Sequence, residues 1–207
     1  MTQKDLINNF QLSLMKRNSG RLDPAHLERI NQEFIKKRIY DGNLKELTDQ
    51  LRKVVEDKYS HSLKSSIQLD ELTNEYLEQI IKWGQTRISR IEELANCDFD
   101  FLWLMPQTLD SSDIENPADI LQSCLTCIRK LTEFEQSNIT SEMRIEAKSA
   151  GVKFSLYMKF LRLCLSGLKE GPSIGEIMTV IGKAKTIKRL QHAITLCEDN
   201  QFDTNKC

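Results

Sequence analysis

Apolar side chains recur every three or four residues along most of this chain, the spacing that places them on one face of an α-helix. No alternation of apolar and polar residues extends beyond a few positions, so the pattern predicts an all-α fold, a two-part helical bundle. Four predicted helices have both ends defined: 2–9, 44–58, 69–83 and 117–131. Two more are predicted from their first residues, one at Asp23-Pro24 and one at Thr140. The last three lie around the turn Gly171-Pro172-Ser173 and are expected to end near Gly167, Gly182 and Ile194.

Several predicted helix ends carry residues that satisfy exposed backbone groups. Asp23 is an expected N-cap, because it accepts hydrogen bonds and Pro24 suits the first helical position. Ser173, with Glu176 three residues later, has the spacing of a capping box. Gly182 stands where a C-cap glycine would end that helix.

Three further predictions concern less regular positions. Thr2 and Thr140 are expected N-caps. Gly84 is expected to interrupt its helix, because glycine costs about 1 kcal/mol in a helix interior.

The chain is predicted to divide into two helical subdomains, 1–105 and 106–207, joined near 96–117. An aromatic cluster lies at this junction. Exposed aromatic rings can stack on nucleic-acid bases, but such clusters more often join two helical layers in a core, and the core role is predicted here. The cluster consists of Phe99, Phe101, Leu102 and Trp103.

The whole-chain charge of −1 conceals two oppositely charged segments. Residues 143–192 hold 10 Lys/Arg against 3 Asp/Glu, a net charge of +7, whereas residues 93–142 hold 2 against 10, a net charge of −8. Local basic surface attracts a phosphate backbone more than total charge does. A solvated helical face is the alternative, since Lys and Arg are common surface residues.

The six cysteines do not indicate a metal or redox site. Structural zinc requires four ligands, and the pair Cys124-x-x-Cys127 has no second pair while the three histidines are scattered. The two thiols are therefore predicted to lie on one helix face as reduced core residues. No catalytic triad and no glycine-rich phosphate loop is present, so no catalytic residue and no metal ligand is predicted. No apolar run reaches the roughly 18 residues of a membrane span, and the N-terminus is neither a signal nor a transit peptide.

Four short runs, in order, resemble one family: Leu161–Gly167, Gly171-Pro172, Ile181–Lys183 and Arg189-Leu190. They are similar to the C-terminal anticodon-binding region of bacterial-type glutamyl-tRNA synthetases, and the mitochondrial members are closest in wording. The run Asp23–Asn31 extends the resemblance nearly to the N-terminus. The family's two ATP-binding motifs of the catalytic half have no counterpart here.

This resemblance implies tRNA(Glu) as the partner, with tRNA(Gln) as a second candidate, and the catalytic domain of a parent enzyme that uses ATP and Mg²⁺. No cofactor is expected on these 207 residues, which are predicted to be inactive alone. A monomer in the mitochondrial matrix is expected, and otherwise a cytoplasmic location. The alternative is a helical protein-interaction domain with no RNA role.

The resemblance also implies RNA contacts. Arg87 lies where the family keeps an arginine that reads the third anticodon base, although a surface arginine beside a helix end is the alternative. Arg162 is expected to position phosphate or to serve the fold. The lysines and Arg189 of the last helix are expected to contact phosphate without reading sequence. The full predicted set is Arg87, Arg90, Lys153, Lys159, Arg162, Ser166, Gly167, Gly171, Pro172, Lys183, Lys185, Lys188 and Arg189.

Overall fold

The computed structural model describes residues 3–14, 23–59, 72–109 and 114–204. Within these ranges every regular element is a helix, which confirms the all-α prediction. The α-helices are α1 (Gln3–Asn9), α2 (Pro24–Tyr40), α3 (Leu44–Tyr59), α4 (Asn74–Gly84), α5 (Pro117–Lys130), α6 (Gln136–Ser149), α7 (Phe154–Ser166) and α8 (Ile174–Thr204). Short 3₁₀ segments occupy Leu12–Leu14, Ile91–Ala95 and Cys97–Leu102. No helix of the described part is long and apolar enough to cross a membrane.

Two predicted helix starts are confirmed by their capping hydrogen bonds. Asp23 accepts a hydrogen bond from the backbone N–H of Ala25 at 3.1 Å, directly before α2. Ser173 Oγ accepts one from the N–H of Glu176 at 3.3 Å, at the start of α8. Thr2, the predicted cap of α1, lies outside the described residues.

The start of α4 differs from the prediction. Leu69 falls outside the described residues, and α4 itself begins at Asn74. Thr73 is the N-cap, since its side chain accepts a hydrogen bond from the N–H of Tyr76 at 3.2 Å. The predicted start was too early. Leu72 is buried just before the helix and therefore continues its apolar spacing without being part of it.

Of two other local predictions, one was wrong and one was confirmed only in part. Thr140 is not an N-cap: it lies inside α6 and its hydroxyl donates to the carbonyl of Gln136 at 2.7 Å. Gly84 ends α4 instead of interrupting a longer helix. A Cβ at this position would lie 2.8 Å from Leu94 Cδ2, so any other residue here would have to displace the buried Leu94 side chain.

Gly182 ends one helical stretch and begins another. Its φ of 82° and ψ of 161° are not helical, which confirms the predicted break. The helix resumes at once, and the hydroxyl of Thr186 donates to the Gly182 carbonyl at 2.9 Å. The result is a kink inside α8, with residues on both sides of it in the core.

One apolar core includes residues from both halves of the chain. The predicted core role of the aromatic cluster is confirmed: Phe101 is 2% exposed and Trp103 is 7% exposed. The indole N–H of Trp103 donates to the carbonyl of Leu94 at 2.8 Å, and the Tyr76 hydroxyl donates to that of Leu102 at 2.6 Å. Helix α8 packs on α5, α6 and α7 and also touches α4. The subdomain boundary at residue 105 stays a prediction.

Candidate nucleic-acid interface

Arg87 lies in the turn that follows α4, and the turn is closed by its own backbone. The N–H of Arg87 donates to the carbonyl of Gly84 at 2.7 Å, and that of Ile88 donates to the same oxygen at 3.2 Å. Arg87 follows Trp83 by four residues in the sequence. The turn brings its side chain against the Trp83 ring at the end of the helix.

The guanidinium of Arg87 makes three contacts with Trp83 and Glu176. Its Cζ lies 4.4 Å from the centroid of the Trp83 ring, the geometry of a cation–π contact. Its Nη1 donates to the Trp83 carbonyl at 2.9 Å. Its Nη2 forms an ion pair with the carboxylate of Glu176, near the start of α8.

Glu176 joins this pair into a network of three side chains. The same carboxylate oxygen that accepts from Arg87 also accepts from the indole N–H of Trp83 at 2.8 Å. Arg87 still keeps 37% of its side chain exposed. The planar group is therefore anchored through one face and both terminal nitrogens, and the side chain as a whole stays partly exposed.

A second group of predicted residues forms the turn between α7 and α8. Arg162 donates from Nε to the carbonyl of Pro172 at 3.3 Å and from Nη1 to that of Lys169 at 3.4 Å. Ser166 Oγ donates to the Arg162 carbonyl at 2.8 Å and accepts from the N–H of Leu168 at 3.2 Å. Arg162 thus braces the turn from within, and Ser166 closes the end of α7.

The two glycines of this turn have positive φ angles. Gly167 has a φ of 71° and is the C-cap of α7. Gly171 has a φ of 149°. Residues with a Cβ rarely adopt these angles, so the turn needs glycine whether or not a nucleotide approaches it.

Two basic residues of α8 close the ends of other helices. The Lys183 ammonium donates to the Arg129 carbonyl at 2.9 Å and to the carbonyl of Leu131, which lie at the end of α5. Arg189 is 4% exposed and donates from Nη1 to the carbonyl of Leu165, in the last turn of α7. The last carbonyls of a helix have no partner within it, and cations there also interact favourably with the helix dipole.

The remaining predicted cations differ in exposure. Lys185 is half-buried, with its ammonium 3.3 Å from the centroid of the Tyr76 ring. Arg90 has 70% of its side chain exposed, and its Nε donates to Glu93 at 3.2 Å. The others are exposed: Lys153, Lys159 and Lys188. Their RNA contacts stay predictions.

The sequence reasoning did not identify Trp83 and Glu176 as parts of this arrangement. In the sequence, Trp83 is the last residue of the predicted helix 69–83, and Glu176 belongs to a capping-box pattern. The spacing of Trp83 and Arg87, four residues apart, was a usable signal for their contact. Glu176 gave no such signal, because it lies 89 residues from Arg87 in the chain.

The pair Cys124 and Cys127 lies on α5 against α6. Cys124 is buried with its sulfur 3.6 Å from that of Met143, and Cys127 lies 3.8 Å from a carboxylate oxygen of Glu142. Burial raises the pKa of the Cys124 thiol to about 12. Burial and then the charges of Glu146 and Glu142 raise the pKa of Cys127 to about 11. In the described part of the chain no three His, Cys, Asp or Glu side chains group as metal ligands would.

Thiol labelling should follow this pattern. At pH 8 the exposed Cys97 should react with iodoacetamide at least about a hundredfold faster than Cys124, because the thiolate is the nucleophile and burial suppresses it. Peptide mass spectrometry over a labelling time course measures both rates. Labelling of Cys124 should rise to the rate of Cys97 in 6 M guanidinium. Equal rates in the native protein would contradict the buried position of Cys124.

Comparison with known proteins agrees with the fold. A model of the family described as the anticodon binding domain matches residues 44–194. The glutamate–tRNA ligase 1 of Fervidobacterium nodosum is 25% identical over 194 residues, which are 92% of this chain and 36% of that ligase. The glutamate–tRNA ligase of Parabacteroides distasonis is 25% identical over 202 residues, covering 95% of this chain and 37% of the ligase.

A solved structure shows the same fold. The glutamate–tRNA ligase of Elizabethkingia meningosepticum superposes with a TM-score of 0.68 at 21% identity, over 94% of this chain and 37% of that one. This chain thus spans little more than a third of the length of the relatives it matches, and the matching region is their C-terminal part. The chain belongs to the anticodon-binding domain family, and it resembles the C-terminal region of glutamate–tRNA ligases.

Proposed function

We propose that this chain binds the anticodon arm of tRNA(Glu), with tRNA(Gln) as the second candidate. The observation that carries the proposal is the match of residues 44–194 to the anticodon-binding domain family. The relatives it resembles are named as ligases for glutamate and tRNA. The alternative, a protein-interaction domain with no RNA role, has no comparable support.

The geometry around Arg87 is suited to an unpaired base. Sequence-specific RNA recognition mostly targets unstacked bases in loops, which stack on aromatic or guanidinium planes and offer their edges for hydrogen bonds. An arginine already fixed on a tryptophan loses little side-chain freedom when it binds. The exposed part of Arg87 therefore provides a pre-ordered donor group for one anticodon base.

Nuclease footprinting tests the proposal directly. Transcripts of tRNA(Glu), tRNA(Gln) and one unrelated tRNA are digested with and without the protein at low salt. We expect protection confined to the anticodon loop of tRNA(Glu) or of both candidates, and reduced protection with Arg87→Ala. Absence of protection on every transcript would reject the RNA role and favour the protein-interaction alternative.

The affinity for tRNA should fall steeply with salt concentration. Each phosphate neutralised adds about −0.7 to the log–log slope for single strands and about −0.9 for duplex, and the exposed lysines Lys153, Lys159 and Lys188 all belong to the basic segment. A slope of several units is expected between 50 and 300 mM KCl in filter-binding titrations. The triple variant with these lysines changed to alanine should have a shallower slope. A flat response in the unchanged protein would remove the electrostatic part of the proposal.

Activation of glutamate with ATP and Mg²⁺ belongs, in this proposal, to the catalytic domain of a parent enzyme. The relatives are more than twice as long as this chain, and α2 exposes Leu27, Ile30 and Phe34, a surface on which that domain would pack. The purified 207-residue chain should therefore show no glutamate-dependent exchange between ATP and pyrophosphate. A full-length glutamate–tRNA ligase is the positive control. Exchange above background by this chain would show that it activates glutamate itself, without a separate catalytic domain.

A mitochondrial matrix location is the last part of the proposal. It rests on the run Leu161–Gly167, whose wording resembles that of organellar synthetases. Fractionation of the source cells, with an antibody against this chain and matrix and cytosolic markers, tests it. Enrichment with the matrix marker is expected, and enrichment with the cytosolic marker would reject it.

A further inference from the structure

The carboxylate of Glu176 has two partners, and both lie in another part of the chain. It accepts from the indole N–H of Trp83 and from the guanidinium of Arg87, 93 and 89 residues away in sequence. In a capping box this carboxylate would accept from the N–H of Ser173, whereas here its Oε1 accepts from Trp83 and Arg87; the other half of the box, Ser173 Oγ accepting from the N–H of Glu176, is present. The Glu176 side chain is 21% exposed; the hydrogen bond from Trp83 is partly buried, and the one from Arg87 lies at the surface.

The two bonds fix the orientation of Arg87 relative to Trp83. The cation–π contact places the guanidinium over the ring but does not by itself define which nitrogen faces which partner. The Glu176 carboxylate is itself held by the indole N–H and accepts a hydrogen bond from Nη2 of Arg87. The Trp83 carbonyl accepts a second one from Nη1 at 2.9 Å. Hydrogen bonds between ionised groups are about twice as strong as neutral ones.

We propose that Glu176 is a positioning residue for base discrimination: it holds Arg87 on Trp83 so that the remaining guanidinium donors can match only some anticodon bases. The inference rests on the proposed tRNA function. Its consequence is that a residue on α8, in the C-terminal half, sets the specificity of an arginine beside α4. Without the carboxylate, Arg87 would keep its charge and still attract RNA, but its donors would adapt to more than one base.

The decisive variant is Glu176→Gln. The amide oxygen can still accept hydrogen bonds from Trp83 and Arg87, so the variant removes the negative charge that pairs with Arg87. The measurement is the ratio of dissociation constants for tRNA(Glu) and for the same tRNA with its third anticodon base changed. Since a good contact of Arg with a base contributes a factor of about 5 to 150, the ratio should fall at least about fivefold.

Two controls separate this effect from simpler ones. Glu170→Gln removes one negative charge from the exposed turn between α7 and α8, so it should change both dissociation constants by the same factor. The double variant Arg87→Ala/Glu176→Gln should have the same ratio as Arg87→Ala alone, because Glu176 acts through Arg87. Thermal melting of each variant ensures that every titration is run on folded protein.

The possible outcomes are distinct. If the unchanged protein binds no tRNA, the proposed function fails before this inference is reached. If it discriminates and Glu176→Gln leaves the ratio unchanged, the positioning role is wrong. If Glu176→Gln tightens binding of both tRNAs equally, the carboxylate only repels phosphate. A lower ratio that is absent in the Arg87→Ala background supports the proposal.

Discussion

Arg189→Ala should lower the free energy of unfolding by about 2–4 kcal/mol. The side chain is 4% exposed and donates to the carbonyl of Leu165 at the end of α7. Alanine removes this donor, leaves a buried carbonyl without it, and also removes the aliphatic stem that packs beside the core. Thermal and urea unfolding followed by circular dichroism measure the change.

The neighbouring position provides the control. Lys188 is exposed, and Lys188→Ala should change stability by no more than about 0.5 kcal/mol while weakening tRNA binding in a salt-dependent way. Arg189→Met retains most of the stem and isolates the loss of the donor. If Arg189→Ala unfolds like the unchanged protein but loses tRNA affinity, Arg189 contacts phosphate after all, as the family resemblance implied.

Arg87→Ala should reduce discrimination among anticodon variants by about 1–3 kcal/mol. The cause is the loss of a planar donor group that Trp83 and Glu176 hold in one place. Titration of tRNA(Glu), and of the same tRNA with a changed third anticodon base, measures the effect. The affinity for tRNA(Glu) should fall much more than the affinity for the changed tRNA.

Two further variants distinguish base reading from charge. Arg87→Lys keeps the positive charge but loses the planar fork, so it should retain overall affinity and lose discrimination. Lys159→Ala, on the exposed side of α7, should weaken both tRNAs about equally, because an ammonium on phosphate carries no sequence information. An equal fall of both affinities with Arg87→Ala would mean that Arg87 is a phosphate or structural residue here.

Predictions that depend on local chemistry were mostly correct. The helix starts at Asp23 and Ser173 and the break at Gly182 were predicted because a cap involves residues two or three positions apart, and a positive φ is a property of one residue. The N-cap prediction for Thr140 was wrong, because a threonine hydroxyl can also donate to the carbonyl four residues before it inside a helix. Local spacing alone does not distinguish the two uses.

The all-α class, most helices and the basic character of the C-terminal segment could be predicted from the sequence, because apolar periodicity and charge are visible along the chain. Which cations bond to the fold itself depends on how the helices pack. Lys183 and Arg189 look like solvated lysine and arginine in sequence, yet they close the ends of α5 and α7. Glu176 meets Arg87 only because α8 packs beside α4. Such contacts join residues tens of positions apart, and no local spacing encodes them.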